Sequence, residues 1–178
     1  MSAPADHDAE SVLARWWRDY TATDEDDQLD VEERLAVTAP FGQNWPGPAL
    51  AATPGEDADA IADQSAQAFL ARHPHARLGL VAALRGADAL TTVGWNGPVN
   101  YDTDTATFSA VLRGWEDRFG TRVVGVGFAT LHLSVAAPPH RLEDALRIAA
   151  EHFAFCPDNI WQGAHPDLAT YAEDPPST

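Results

Sequence analysis

Residues 104–120, DTATFSAVLRGWEDRFG, constrain the fold of this chain more than any other stretch. Asp104 is a residue type that accepts hydrogen bonds from the unpaired amides at a helix start, and Gly120 a type that closes a helix in the left-handed conformation. Between them Phe108, Val111, Leu112, Trp115 and Phe119 recur at i, i+3, i+4, i+7 and i+11. That spacing lines one face of a helix with apolar side chains, and the face must be buried against something.

The next two segments supply a sheet. In RVVGVGF, Val124, Val126 and Phe128 alternate with Val123 and two glycines; in TLHLSV, Leu131, Leu133 and Val135 face one way and Thr130, His132 and Ser134 the other. The short connection at Ala129 and Thr130 predicts an antiparallel hairpin. Pro138 and Pro139 break the second strand. A second amphipathic helix opens at Glu143 and Asp144, carries Leu142, Ala145, Leu146, Ala149 and Phe153 as its core stripe, and ends before Pro157. Upstream, RLGLVAAL at residues 77–84 is a short apolar run between turn signals and is read as a buried strand.

The N-terminal third is different. Residues 8–20 place Val12, Leu13, Trp16, Trp17 and Tyr20 at helical spacing. Adjacent Trp16 and Trp17 cannot share one core stripe, so one of them is expected to cover a neighbouring element or meet a partner. Seven acids between Asp24 and Glu33 predict a solvated, mobile segment. Residues 38–55 form a loop rich in proline and glycine that Phe41 and Trp45 anchor, and residues 56–73 a further helix. The fold class is α+β: a small, partly antiparallel sheet with two amphipathic helices on one face, plus N-terminal helical and loop segments. Residues 1–55 form the acidic N-terminal helix and loop, and residues 56–178 a single α+β domain.

Charge limits the partners. The chain of 178 residues carries 27 acids against 11 basic residues, all arginine, for a net −16. Such a surface repels phosphate backbones, which argues against nucleic acid, and steers a basic partner inward. The N-terminus has no basic segment followed by an apolar run, and no run approaches the ~18 residues of a membrane span, so a cytoplasmic protein is expected, without membrane contact. Cys156 is the only cysteine, which excludes an intramolecular disulfide.

The segments ARLGLVAALRGADALTTVGWNGPVN, LRGWEDRFG and EHFAFCPDNIWQG resemble the domain of unknown function 4253 family, closely over residues 76–171. The resemblance implies no activity, since the family is named for lacking one. Its members commonly carry a further N-terminal region and end in a tryptophan-rich acidic tail. This chain closes with EDPPST, so a pocket completed by that tail would be altered here.

Residues 151–163, EHFAFCPDNIWQG, concentrate reactive side chains where a helix ends. If the protein is an enzyme, Glu151, His152, Cys156 and Asp158 are the catalytic candidates. Trp95, Asn100 and Gln162 are the ligand-binding candidates, in a pocket between loop 95–100 and the terminus 151–162. Against catalysis, Cys156 lies at the negative end of its helix beside Asp158, where a thiolate is disfavoured. His152, at the same end, is expected to be partly buried and to favour its charged form. His152 and Cys156 at i, i+4 fall short of the three or four ligands of a zinc site, so neither a metal site nor a cofactor is assigned. Glu116 and Glu151 are read as ion-paired to Arg113 and Arg147 rather than as an acid–base pair. The leading reading is a non-catalytic acidic interaction module, one version of which neutralises a basic protein partner such as a toxin; the alternative is a small enzyme or ligand-binding domain using that pocket.

Overall fold

Local signals set the helices of the computed structural model, which describes residues 2–23 and 31–173. In chain order these are α1 (Ala9–Thr21), α2 (Val31–Val37), α3 (Ala58–Arg72), α4 (Ala89–Val93), α5 (Thr105–Phe119), α6 (Leu142–Phe155), α7 (Asp158–Trp161) and α8 (Leu168–Glu173). Asp57 caps α3 by accepting from the Ala60 N–H at 3.3 Å, and Asp104 caps α5 by accepting from the Ala106 N–H at 3.2 Å. Gly120 ends α5 at φ 62°, where a side chain would be strained, and its N–H returns to the Glu116 carbonyl.

The sheet is a two-stranded antiparallel hairpin of β1 (Arg122–Val126) and β2 (Leu131–Ser134). Arg122 faces Ser134, Val123 faces Leu133, Gly125 faces His132 and Val126 faces Leu131, with an irregularity between Val123 and Gly125. The Gly127 N–H closes the turn on the Thr130 carbonyl at 2.8 Å. The architecture is thus α+β, mostly helical, with a small antiparallel sheet.

Residues 77–84 are not a strand. The run is irregular and exposed along its length, and among the described residues its backbone makes one hydrogen bond, from the Ala83 N–H to the Val81 carbonyl. A strand needs a neighbouring backbone as well as an apolar composition, and among the described residues the sheet stops at two strands. Most of the acidic segment, 24–30, lies outside the described residues; Glu32 and Glu33 fall in the first turn of α2.

By compactness the chain divides into two units, each built from separated stretches. Among the described residues, one gathers the chain up to Ala9 with Ala51–Pro138, and the other gathers Glu10–Leu50 with the chain from Pro139 onward. In the first, the α5 side chains Phe108, Val111, Leu112, Trp115 and Phe119 are all buried, together with Leu90 of α4. Helix α3 packs against both strands. In the second, α6 packs against α8, and Trp17 has edge-on or tilted ring contacts with Phe41, Trp45 and Phe153. Trp16 is buried as well, edge-on to Phe155 at 6.2 Å. Neither tryptophan of the pair is left for a partner, because α1 is covered on two faces rather than one. Among the described residues no helix is long and apolar enough to cross a membrane.

Candidate functional site

Helix α6 brings the candidate chemistry together, and it does so in the interior. Glu151 is fully buried, and its Oε1 accepts from the Ala49 N–H at 2.8 Å. That bond fastens the proline-rich loop to α6 at Ala49. The pairing of Arg147 with Glu151 expected from spacing is not formed: Arg147 reaches Glu143 instead, at 3.3 Å. An interior carboxylate that takes a backbone amide satisfies two buried polar groups at once.

His152, the next residue, is partly buried, and its Nδ1 shares a hydrogen bond of 3.0 Å with the Tyr171 hydroxyl of α8. Desolvation pushes the proton affinity of the ring down, with the nearby Glu151 charge opposing it. Desolvation therefore overrides the helix end, and the neutral form is favoured instead of the charged one. The Tyr171 phenol is pushed up to about 12, first by burial and then by the neighbouring Cys156. Burial also raises the Cys156 thiol; backbone amides of Asn159 and Asp158 favour the thiolate, while the Asp158 charge opposes it. A half-buried thiol shifted in this direction is a poor nucleophile near neutral pH.

Beyond α6 the candidates turn outward. Asp158 accepts from the Gln162 side-chain amide at 2.8 Å, and this pair is exposed. Trp95 belongs to the other compact unit, as does Asn100. Trp95 Nε1 donates to the Gly127 carbonyl at 3.0 Å, and its own carbonyl accepts from Thr105 Oγ1 at 2.9 Å. Its indole therefore straps the loop to the hairpin. Asn100 is exposed.

One arrangement was missed by reading along the chain. In the first unit, Arg113 grips the buried Asp88 through two bonds, 2.6 and 2.8 Å. Arg85 binds Glu116 at 2.8 Å and Asp117 at 2.5 Å, while Arg122 binds Asp59 at 2.8 Å and lies 3.6 Å from Glu116. Arg113 thus pairs with Asp88, 25 residues away, rather than with Glu116 one turn on. The available signal was the isolated Arg85 and Asp88 upstream of a helix whose second half carries Arg113, Glu116, Asp117 and Arg118. Among the described residues no group of three or more His, Cys, Asp or Glu is placed to hold a metal ion.

The model of the domain of unknown function DUF4253 matches residues 77–175, more than half of the chain, and the protein belongs to that family. Neither a curated protein nor a solved structure matches the chain.

Proposed function

We propose that this protein is a non-catalytic interaction module that engages a basic protein partner, in a cytoplasmic setting that suits its lone cysteine. The observation carrying the reading is a set of large apolar side chains left exposed in the first unit. Leu78, Leu80 and Leu84 are 90%, 94% and 99% exposed, and Phe128 is 96% exposed. A large apolar side chain gains about 1.5–3 kcal/mol on full burial, so four of them left in water favour covering by another molecule. The net charge of −16 selects which molecule: a basic protein is steered in, and a phosphate backbone is repelled. The internal engagement of Glu151 in a buried hydrogen bond, and of His152 and Asp88 in part-buried ones, supports binding over chemistry.

The test is capture from the native host by the protein and by its Leu78→Glu/Leu80→Glu variant, with salt raised from about 0.05 to 0.5 M. One basic protein retained in stoichiometric amount, released by salt and lost from the variant, is the expected result. Retention that ignores both salt and the substitutions would contradict the proposal.

A second reading, the small enzyme, draws on Glu151, since a buried carboxylate beside a histidine is an arrangement that functional sites use. It calls for a substrate whose turnover is abolished by Glu151→Gln while folding is retained.

A further inference from the structure

Three rings meet where the end of α3 lies against β2. Phe69 lies in the last turn of α3 and His73 is the residue that caps its end, with ring centroids 4.2 Å apart. His132 of β2 packs on the same Phe69 ring at 4.6 Å and lies 5.9 Å from the His73 ring. The glycine opposite His132 makes this possible. A Cβ on Gly125 would sit 3.2 Å from Phe69 and 3.3 Å from the His132 side chain, so the bare backbone of the irregular β1 lets both rings settle on it. His73 is exposed and His132 partly so, and neither imidazole makes a hydrogen bond or ion pair to the described residues. Two unclaimed imidazoles, from different elements, are held side by side by a shared aromatic neighbour.

We infer that His73 and His132 form a two-imidazole site for a divalent transition cation of the zinc class. The separation of the two rings is close to that needed. With metal–nitrogen bonds of about 2.0–2.1 Å at a tetrahedral angle, two ligating imidazole rings have centroids roughly 5.2 Å apart. The observed 5.9 Å exceeds this by less than the two side chains can close through χ rotation, since His73 is in solvent. Imidazole nitrogen selects zinc, nickel or copper over magnesium or calcium, which prefer oxygen. Two protein ligands leave the remaining positions open to water or to a donor from another molecule, and the bound ion clamps the end of α3 to the hairpin.

The experiment is isothermal titration of the metal-free protein with zinc chloride, repeated with magnesium chloride, on the wild type and on His73→Ala, His132→Ala, His132→Gln and His75→Ala. One zinc per chain and no magnesium is the expected stoichiometry. Each change at His73 or His132 weakens zinc binding by about a hundredfold, the advantage of a second ligand already held beside the first, whereas His75→Ala leaves it unchanged. Circular dichroism of each variant establishes folding, and the zinc-dependent rise in Tm must vanish with the affinity. Absence of stoichiometric zinc binding in the wild type, or binding by folded His132→Gln equal to wild type, would overturn the assignment. A loss caused by His75→Ala instead would place the zinc elsewhere and overturn it equally.

Discussion

Phe153 is the residue whose replacement reads the second unit most clearly. Its ring is buried and meets three others edge-on: Trp17 at 5.7 Å, Tyr20 at 6.4 Å and Trp161 at 5.3 Å. Phe153→Ala removes the whole ring and leaves a cavity, at a cost of about 3–5 kcal/mol. Phe153→Leu keeps most of the apolar volume, so packing alone predicts a loss below about 1.5 kcal/mol. Edge-to-face pairs contribute about 0.5–1.5 kcal/mol each beyond area. Three such pairs, which overlap and do not sum fully, bring the expected Leu cost to about 2–3 kcal/mol. The assay is denaturant unfolding followed by tryptophan fluorescence and by circular dichroism, with the m-value checked. If the two units unfold separately, the loss appears in the transition of the unit that holds α6. A Phe153→Leu cost under about 0.5 kcal/mol would show that the ring contacts add nothing beyond buried area.

Trp115, buried on α5, plays the equivalent part in the first unit: Trp115→Ala costs about 3–5 kcal/mol, and a denaturant midpoint implying less than about 1 would remove it from the core. Glu151→Ala strands the buried Ala49 amide and costs about 1–3 kcal/mol, while Glu151→Gln, whose amide oxygen still accepts, costs less; equal losses would mean that the 2.8 Å bond is not what matters. For His152, the lowered folded pKa means that the unfolded chain binds more protons. Its contribution is complete above the ordinary 6.5 and declines as pH falls below it, a slope that His152→Gln should flatten in a Tm-against-pH series. Tyr171 acts at the other end: its contribution is present below the ordinary 10 and is lost as pH rises towards about 12. Cys156 should react with a thiol reagent near pH 7 far more slowly than a free cysteine and at the ordinary rate once unfolded; fast native labelling would contradict the raised thiol pKa.

What was legible in the sequence divides by range. The bounds of α5 follow from Asp104, Gly120 and a stripe that all lie within 17 residues, so local chemistry decided them. The hairpin was legible for the same reason. Residues 77–84 were not: an apolar run of that length fits a strand, but only a pairing backbone makes it one, and no composition records whether a partner is near. Trp16 and Trp17 are both buried because α1 is enclosed on two faces, a fact about neighbours rather than about spacing. The site divides in the same way. The helix terminus around His152 and Cys156 was visible as a cluster of residue types. The bond from Ala49 to Glu151 spans 102 residues, and the grip of Arg113 on Asp88 spans 25. Helical spacing offered Arg147 and Glu116 as nearer partners, and burial overruled both.

The open apolar run at 77–84 is the feature on which the proposed binding of a partner most depends, and amide hydrogen exchange on the free protein tests it directly. With a single backbone hydrogen bond in the run among the described residues, the amides of Leu78, Gly79, Leu80 and Val81 should exchange at nearly unprotected rates. The amides of α5 should be protected in the same sample, and addition of the captured basic partner should slow the run. Strong protection of residues 78–81 in the free protein would mean that the run is already paired and covered, and would contradict its reading as a surface that awaits a partner.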